Sequence, residues 1–400
     1  MEQRFGRFKI ITGPVGSEKD RLIQISLDRL VASGLSKGGL KGNGNVLVAR
    51  HYKDDPNPDL IGKHEVLVTD SVKEIYEKIT PETGIVFIVG AGHYQHPEIV
   101  ALADSIVRSN RRLTASGLNL DAEGNPFGHM PELISLADEI ELTNAVCHKV
   151  SIGTCSNTEA NRSGILSTGE YTPLCTYHFY YPDAPEVVSP SHLEVYTGPM
   201  FSGKTTKWSS KLNKMMKSLG EDRIAVFKWL NDQRYEQQGQ QKKPFDSDFI
   251  TLNDGGRIPA ILIRNVQDMS DYLTENPRKR VVFKSEVQFI PGASKFFSEL
   301  LKKGYQAYLD GLIRGAERTK FGEISELICL ANIVHVKSAY CQSCHRPATE
   351  SQDRDLLRGG SRESQVKVGG SDQYEARCLD CLEHPLKPNQ YTLARFNERD

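Results

Sequence analysis

The sequence predicts an α/β fold made of two successive parallel-sheet domains, each followed by a small cysteine-bearing segment. Three observations lead to this prediction. The chain repeats itself, since residues 8–19 (FKIITGPVGSEK) match residues 193–204 (LEVYTGPMFSGK), and residues 127–137 match residues 321–331. Short apolar runs alternate with helix-period stretches, which is typical of a sheet covered by helices. Each copy then ends in a stretch that carries cysteines.

The repeat divides the chain into two copies of one domain. Matching residues lie 185 positions apart at Lys19 and Lys204 and 194 positions apart at Cys147 and Cys341. A shared order with a slowly growing separation indicates duplication followed by small insertions. We therefore expect a first domain at 1–181, a proline-spaced linker at 182–192, a second domain at 193–385 and a polar tail at 386–400.

The composition is that of an ordinary globular protein. Of its 400 residues, 38% are hydrophobic and 25% are charged. The best apolar run, residues 85–90, has the length of a strand and is far short of the roughly 20 residues of a membrane span. The first residues lack the apolar core of a secretory signal, so we expect a cytoplasmic protein without a membrane partner. A net charge of −1 argues against a general nucleic-acid binder.

Each copy opens with a strand, a glycine-containing turn and a helix. The residues expected on the buried helix face are Trp208, Leu212, Met215, Met216 and Leu219 in the second copy and Leu22, Ile25, Leu27 and Leu30 in the first. Further strands are expected at residues 223–228, 281–283 and 306–309, with helical patterns between them. This alternation favours parallel strands joined by helices.

A phosphate-binding loop is predicted between the first strand and the first helix of the second copy. Its residues fit the pattern G-x-x-x-x-G-K-[ST] and are Gly198, Pro199, Met200, Phe201, Ser202, Gly203, Lys204 and Thr205, followed by Thr206. Glycines let backbone N–H groups turn toward phosphate oxygens, and the helix N-terminus adds positive potential. Lys204 would reach the β- and γ-phosphates and Thr205 would offer its hydroxyl to Mg²⁺, so we expect ATP and Mg²⁺ to bind here.

The matching loop of the first copy carries two carboxylates. Glu18 replaces the second glycine and Asp20 replaces the hydroxyl residue, although Lys19 is kept. Two negative groups at a triphosphate oppose its binding by Coulomb repulsion. We therefore expect the first copy not to use ATP.

A candidate general base follows a later strand of the second copy. Glu286 comes at the carboxyl end of an apolar run, and this is the edge at which open α/β sheets place their active sites. A carboxylate there can take the proton from an attacking hydroxyl. The matching position in the first copy is Gly90, so the copy with the altered loop also lacks the carboxylate.

Two C-x-x-C pairs predict a metal site in the second copy. Cys341, Cys344, Cys378 and Cys381 supply four thiolates in two turns, the ligand set of a closed tetrahedral Zn²⁺ site. Because protein ligands fill all four positions, the ion would be structural.

The corresponding stretch of the first copy keeps only part of this ligand set. Cys147, Cys175 and His178 match three of the four cysteines, whereas Val150 matches the fourth. Cys155 could complete a set of four. The sequence leaves two interpretations open: a second Zn²⁺ held by Cys147, Cys155, Cys175 and His178, and a segment without zinc.

Taken together, these motifs resemble those of the type II thymidine kinase family. The resemblance rests on GPMFSGKTT at 198–206, DQRY at 232–235, SEVQF at 285–289, LDG at 309–311 with a following FG, and the two C-x-x-C pairs. It covers the second copy up to Cys381 and, more weakly, the first. It implies a P-loop (RecA-like) domain followed by a zinc ribbon with a lasso loop at about 335–385. It further implies ATP-dependent phosphorylation of thymidine at the 5′-hydroxyl to dTMP, in nucleotide salvage, with Glu286 as the base.

The resemblance also implies a set of substrate-binding residues. These are Met200, Asp232, Arg234, Gln288, Phe289, Ile313, Phe321, Val368, Gly369, Gly370 and Tyr374. The last four belong to the lasso, whose backbone groups would hydrogen-bond the thymine edge. Thymidine and ATP are the implied partners and dTTP the implied feedback inhibitor. Members of the family form tetramers, which two duplicated chains could rebuild with the first copy in a structural or regulatory role.

Two departures from the family pattern leave other functions open. Ser285 stands where the family usually carries an aspartate that holds Mg²⁺ through water, so it would hydrogen-bond such a water without adding charge. The stretch 310–320 looks longer than the family's, with Ile313 in place of an aromatic residue. The alternatives are a weak or inactive nucleotide-binding scaffold and a kinase for another deoxynucleoside.

Overall fold

The structure is a computed structural model with two compact units, which divide between Phe179 and Tyr180. It describes residues 6–32, 46–54, 66–151, 160–165, 169–183, 191–231, 243–252, 255–316, 318–357, 369 and 372–383. Among these residues no helix combines the length and the apolar character needed to cross a bilayer. The α/β class with parallel sheets, expected from the sequence, is confirmed in both units.

The first unit alternates strands and helices. Its elements are β1 (Phe8–Gly13), α1 (Lys19–Ala32), β2 (Val46–Arg50), β3 (Leu67–Val68), α2 (Val72–Lys78), β4 (Ile85–Val89), α3 (Glu98–Arg108), β5 (Arg112–Leu118), α4 (Met130–Leu136), β6 (Glu139–Leu142), α5 (His148–Ser151), β7 (Arg162–Ile165), β8 (Tyr171–Leu174) and α6 (Thr176–Tyr180). Strands β1 to β6 form a parallel sheet in the order β3-β2-β4-β5-β1-β6. Strands β7 and β8 form a separate antiparallel hairpin.

The predicted buried face of α1 is wrong at one position. Ile25 is 38% exposed, whereas Ile23 is fully buried in a cluster with Leu27 and Ile11. Residues 23, 27 and 30 share one helix face because they are three or four positions apart, and residue 25 lies on the opposite side.

The second unit has a sheet of its own and ends in two small antiparallel pairs of strands. Its elements are β9 (His192–Thr197), α7 (Lys204–Leu219), β10 (Ile224–Trp229), β11 (Ser247–Thr251), β12 (Arg257–Ile263), α8 (Val266–Glu275), β13 (Val281–Lys284), α9 (Ala293–Lys302), β14 (Gln306–Gly311), α10 (Ile324–Leu330), β15 (Ile333–Val336), β16 (Ala339–Tyr340), β17 (Pro347–Ala348), β18 (Glu350–Asp353), α11 (Arg354–Leu357) and β19 (Tyr374–Arg377). The two antiparallel pairs are β16 with β17 and β18 with β19. The strands expected at 223–228, 281–283 and 306–309 are confirmed as β10, β13 and β14.

The sheet of the second unit has the order β11-β12-β10-β13-β14-β9-β15. Neighbouring strands are parallel, with the exception of the antiparallel pair β11 and β12. Helix α7 covers one face and buries Trp208 and Leu212, as predicted, while Leu219 at its last residue is 42% exposed. The loop before α7 lies at the carboxyl end of β9, next to β14.

The central strands of the two sheets are paired in the same way. Their order is β2-β4-β5-β1-β6 in the first unit and β10-β13-β14-β9-β15 in the second. In each unit a threonine hydroxyl donates to a glycine carbonyl across the sheet at 3.0 Å, Thr12 to Gly117 and Thr197 to Gly311. Because Gly117 and Gly311 occupy the same place in the two sheets, the residues before them, Ser116 and Asp310, are counterparts.

Candidate active site

The phosphate loop of the second unit connects β9 to α7. Gly198 and Gly203 have positive φ angles of 146° and 74°. A Cβ at Gly198 would overlap the carbonyl oxygen of Lys337, so only glycine fits there. The Nζ atom of Lys204 donates a hydrogen bond to the Pro199 carbonyl oxygen at 3.4 Å. The Lys204 ammonium is therefore held inside the loop, at the N-terminus of α7.

The other predicted loop residues differ in exposure. Phe201, Gly203 and Thr206 are exposed, Met200, Ser202 and Thr205 are half-buried, and Gly198, Pro199 and Lys204 are buried. The exposed residues leave the outer side of the loop accessible to a ligand.

A buried carboxylate joins the phosphate loop to the strand of the candidate base. Asp310 lies in β14, between β9 and β13, and is fully buried. Its Oδ2 atom accepts a hydrogen bond from Thr205 Oγ1 at 2.7 Å, and its Oδ1 atom accepts one from the Glu286 backbone N–H at 2.9 Å. Asp310 therefore links Thr205, predicted to bind the metal, to Glu286, the predicted base.

Opposing influences act on the charge of Asp310. Burial, followed by the nearby Glu286 carboxylate, raises the pKa of Asp310 above its ordinary value. The ammonium of Lys204 and hydrogen bonds from the Thr205 and Ser285 side chains act in the opposite direction. The side chains of Ser285 and Thr205, both predicted to lie beside the metal, therefore hydrogen-bond to the same carboxylate.

An unusual backbone conformation and a hydrogen bond from the side-chain amide of Gln288 fix the position of the Glu286 carboxylate. Its φ and ψ angles of 53° and 50° are left-handed, a conformation that costs a residue with a side chain about 1 kcal/mol or more. Its Oε2 atom accepts a hydrogen bond from Gln288 Nε2 at 2.6 Å. The Oε1 atom of Gln288 accepts one from the Leu312 N–H at 3.3 Å. Gln288, predicted to bind substrate, therefore has its amide against the candidate base.

Three aromatic side chains form a cluster around Phe289, three residues after Glu286. Phe289 stacks on Trp229 with ring centroids 4.7 Å apart and an interplanar angle of 16°. Phe321 meets Phe289 edge-on at 5.4 Å. Two of these rings, Phe289 and Phe321, are predicted substrate-binding residues. Such faces suit the ring of a nucleobase.

The remaining described substrate-binding predictions lie in three different places. Ile313 is buried and lies in the connection from β14 to α10. Tyr374 is buried at the start of β19, opposite Asp353 of β18. Gly369 is half-buried in the lasso. Whether these residues touch a substrate stays a prediction.

The stretch between β14 and α10 folds back on itself and packs against β18. The Gly315 N–H donates to the Thr319 carbonyl at 2.9 Å, which closes a tight turn. Arg314 and Arg318 are both buried and lie 3.6 Å and 3.5 Å from Glu350 Oε1. Two guanidinium groups sharing one carboxylate tie this stretch to the ribbon segment.

The ribbon segment also touches the phosphate loop. The Met200 N–H donates to Ser351 Oγ of β18 at 3.0 Å. The first unit has a matching contact, in which the Val15 N–H donates to Ser163 Oγ of β7 at 2.9 Å. In both units a serine hydroxyl therefore supports the backbone of the loop.

The four predicted zinc ligands of the second unit converge. The Sγ atoms of Cys341, Cys344, Cys378 and Cys381 all lie within 4.8 Å of one another. Arg346 Nε donates to Cys344 Sγ at 3.3 Å, and this contact lowers the pKa of Cys344 to about 6. Four thiolates around Zn²⁺ carry a net negative charge, which the Arg346 guanidinium partly offsets. The donor set fits a structural Zn²⁺.

The first unit keeps the backbone of the predicted phosphate loop but not all of its residues. Glu18 has a φ of 60°, close to the 74° of its counterpart Gly203. Its side chain is 67% exposed and pairs with Arg21 at 3.3 Å, so its charge is a weaker obstacle to phosphate than the sequence suggested. Burial lowers the pKa of Lys19, the counterpart of Lys204, to about 8.

The corner of the candidate base is occupied differently in the first unit. Gly90 has φ and ψ angles of 73° and 32°, similar to those of Glu286. A Cβ on Gly90 would lie 2.7 Å from the Cβ of Asp54, which fills this space. Asp54 Oδ1 lies 3.9 Å from Nε2 of His93, which replaces Phe289. Burial lowers the pKa of His93 to about 4, so its ring is neutral at pH 7.

Three potential metal ligands converge in the first unit. Cys147, Cys175 and His178 are buried, with ligand atoms within 4.8 Å of one another. His178 Nδ1 lies 3.3 Å from Cys175 Sγ and 3.8 Å from Cys147 Sγ. Cys155, which would complete the ligand set in one of the two interpretations, lies outside the described residues.

Several site residues were not foreseen, and others remain untested. Asp232, Arg234, Val368 and Gly370 lie outside the described residues. Trp229 and Ser351 gave no sequence signal, because their contacts are made across the fold. For Asp310 a signal existed, since a carboxylate directly ends the apolar run Tyr308-Leu309 at the sheet edge that carries active sites.

Comparison with known proteins gives matches in both halves of the chain. A sequence model of a family described as thymidine kinase matches residues 48–179 and 191–382. A thymidine kinase of Mesomycoplasma hyopneumoniae (strain 7448) is 31% identical over 192 residues, which cover 47% of this chain and 94% of that protein. A thymidine kinase of Thermococcus kodakarensis is 30% identical over 203 residues, which cover 50% of this chain and 95% of that protein.

Proposed function

We propose, because this chain belongs to the thymidine kinase family, that its second unit transfers phosphate from ATP to the 5′-hydroxyl of thymidine, giving dTMP for nucleotide salvage. The observation that carries this proposal is the contact of Asp310 with both Thr205 and Glu286, beside the buried Lys204. These groups bring a phosphate-binding loop and a candidate base to one edge of one sheet.

The proposed reaction uses groups with separate tasks. Lys204 and the loop N–H groups bind the β- and γ-phosphates. As O5′ of thymidine attacks the γ-phosphorus, Glu286 accepts the hydroxyl proton, and the bond from the γ-phosphorus to the β–γ bridging oxygen breaks to release ADP. Gln288 holds the Glu286 carboxylate through its 2.6 Å hydrogen bond. Phe289 and Phe321 would flank the thymine ring.

The donor set beside the loop fits Mg²⁺. The Thr205 and Ser285 hydroxyls and the Asp310 carboxylate are hard oxygen groups, which this ion prefers. A bound Mg²⁺ would neutralise charge on the β- and γ-phosphates. Thr205 is the residue that would hold it, and Asp310 keeps the Thr205 hydroxyl in place.

The tandem arrangement is also part of the proposal. The first domain (1–181) would be a degenerate, inactive copy of the second (193–385), with a structural or regulatory role. The shared sheet register supports common ancestry, and Asp54 in the corner beside Gly90 supports the loss of chemistry. Two such chains would rebuild a four-domain assembly, with dTTP as its feedback inhibitor.

The first unit would bind a second Zn²⁺. The three buried groups Cys147, Cys175 and His178 form a soft ligand set that zinc prefers, with a fourth ligand still to be identified. In the second unit, Zn²⁺ held by four cysteines would anchor the lasso, and through β18 it would also support the phosphate loop.

A second candidate function keeps the chemistry and changes the nucleoside. The observation that favours it is the stretch with Arg314 and Arg318, which are buried against Glu350 next to the predicted substrate-binding residue Ile313. A panel of thymidine and the other deoxynucleosides, assayed with the full-length chain, separates the two functions.

The test of the proposed function is phosphate transfer from ATP·Mg²⁺ to thymidine by the full-length chain and its Glu286→Gln variant. Loss of the base should lower kcat by about 10² to 10⁴ fold. Glu299→Gln, in the exposed part of α9, is the matched control and should match the parent. A parent chain that binds ATP but phosphorylates no deoxynucleoside would identify a nucleotide-binding scaffold instead.

A further inference from the structure

Asp310 is a buried carboxylate for which the sequence motifs give no role. It lies on the strand between the phosphate loop and the candidate base, and both of its oxygens accept hydrogen bonds. The bond from Thr205 Oγ1, at 2.7 Å, has the ordinary length of a hydroxyl hydrogen bond. A carboxyl group in this place needs an explanation, because burying an acidic side chain is costly.

The direction of the Thr205 hydrogen bond has a chemical consequence. The hydroxyl proton points to Asp310, so the lone pairs of Oγ1 remain available for another partner. A cation is the partner that such an oxygen suits, since the carboxylate behind it increases its negative charge. Thr205 directly follows Lys204 at the N-terminus of α7, so this oxygen lies at the phosphate end of the loop.

The neighbouring residue cannot supply that charge. Ser285 follows β13 and contributes a neutral hydroxyl to the same carboxylate. Glu286 donates its backbone N–H to Asp310, while its own side chain is engaged by Gln288. Around the Thr205 hydroxyl, Asp310 is therefore the carboxylate in direct contact.

The first unit shows the reverse arrangement at the same two positions. Asp20 stands where Thr205 does, and Ser116 is the sheet-register counterpart of Asp310. The hydroxyl and the carboxylate have thus exchanged places between loop and strand. The ionised Asp20 side chain has no hydroxyl group, so it cannot donate a hydrogen bond to the strand residue and bind a cation through the same oxygen as Thr205 could. The pairing of Thr205 with Asp310 is specific to the unit that keeps the phosphate loop.

We propose that Asp310 is the positioning residue that orients Thr205 toward a divalent cation and supplies the negative charge that Ser285 does not. This proposal rests on the proposed nucleotide-binding function of the second unit but not on its substrate. The competing explanation is purely structural: Asp310 would only tie β13 to β14 through the Glu286 N–H.

The test is the affinity of the full-length chain for Mn²⁺, measured by electron paramagnetic resonance in the presence of ADP. Asp310→Asn keeps the size of the side chain and can still accept from Glu286, so a structural role predicts little change. The proposal predicts that Mn²⁺ affinity falls by about ten-fold or more, the usual effect of losing a group that orients a metal ligand. ADP affinity without metal, measured by calorimetry, should stay the same.

Two further variants sharpen the result. Asp268→Asn changes another buried aspartate of the second unit, which lies in the first turn of α8 and accepts hydrogen bonds from Arg264, and it should leave Mn²⁺ affinity unchanged. Ser285→Asp added to Asp310→Asn should recover Mn²⁺ affinity, because it returns a carboxylate to the same corner. Unchanged Mn²⁺ affinity in Asp310→Asn, an equal loss of metal-free ADP binding, or no recovery in the double variant would overturn the proposal.

The outcome is separable from that of the proposed function. If the parent chain phosphorylates no deoxynucleoside but Mn²⁺ binding with ADP still depends on Asp310, the metal role stands and the kinase function fails. If phosphate transfer occurs and Asp310→Asn binds Mn²⁺ like the parent, the kinase function stands and the metal role fails.

Discussion

At the residue scale, the candidate base depends on its neighbours for its position. Glu286 has a left-handed backbone conformation, and Gln288 holds its carboxylate from one side. The sequence predicted Gln288 as a substrate contact because the motif resemblance places it near the nucleoside. The structure adds a hydrogen bond to the base, which a sequence pattern does not reveal.

Replacement of Gln288 distinguishes these two roles. For Gln288→Ala we expect kcat to fall by about ten-fold with little change in the KM for thymidine, because the Glu286 carboxylate loses its orienting partner. Steady-state kinetics with varied thymidine measures both constants. A raised KM with an unchanged kcat would instead make Gln288 a substrate-binding residue.

The buried Asp310 predicts a pH-dependent stability. Its folded-state pKa is raised, so the stability from its bound proton is present below the unfolded pKa of about 3.9 and is lost as the pH rises through the folded pKa. The side chain in Asp310→Asn cannot ionise, so the stability of this variant should not fall with rising pH in this way. Unfolding of the metal-free chain in urea, measured at a series of pH values from about 4 to about 8, tests this. Both tryptophans, Trp208 and Trp229, lie in the second unit and report on it.

The expected result is that the variant gains stability relative to the parent as the pH rises from about 4. A variant that loses stability relative to the parent over this range would contradict the assigned direction of the pKa shift. The comparison uses differences between two proteins under identical conditions, so it does not require the whole chain to unfold in one step.

At the element scale, strand β18 connects the ribbon segment to the phosphate loop. Ser351 accepts a hydrogen bond from the Met200 N–H, and removal of this acceptor leaves a loop donor without its partner, at a cost of about 1 kcal/mol. For Ser351→Ala we therefore expect the KM for ATP to rise about five-fold. Ser163→Ala, which removes the matching contact to Val15 in the first unit, should leave this KM unchanged. Equal effects of the two variants would refute the assignment of ATP to the second unit.

The cysteine clusters predict a metal content. We expect two zinc ions per chain, one at the four cysteines of the second unit and one at Cys147, Cys175 and His178 of the first. Plasma mass spectrometry of the chain purified without chelators measures the ratio, and Cys175→Ser should lower it to one. A parent chain with a single zinc, retained in Cys175→Ser, would show that the first cluster binds no metal.

Sequence pattern predicted the strands and the loop better than the residues that support them. The strands β10, β13 and β14 were found because buried parallel strands are continuous apolar runs. The face of α1 was misplaced at Ile25, because an apolar residue on an exposed face looks the same in sequence as one in the core. Contacts such as Met200 with Ser351 join residues far apart in the chain, so no local pattern encodes them.

At the scale of the whole molecule, the two units share a framework and differ in the residues of the candidate site. The sheet order, the threonine-to-glycine hydrogen bond and the serine support of the loop occur in both. The differences concentrate at the phosphate end, where Gly90 and Asp54 replace the corner formed by Glu286. This distribution is expected when packing is retained in both copies and catalysis in one. The sequence predicted the asymmetry from Glu18 and Gly90, but only the structure revealed that Asp54 fills the vacated space.

We propose that only the second unit transfers phosphate. The most direct test is the rate of dTMP formation from ATP·Mg²⁺ and thymidine by full-length chains that carry Lys204→Ala or Lys19→Ala, the two corresponding lysines. We expect a loss of at least about 100-fold for Lys204→Ala, because the phosphate-binding ammonium is removed, and a rate close to the parent's for Lys19→Ala. A large loss in Lys19→Ala, with Lys204→Ala still active, would contradict this expectation.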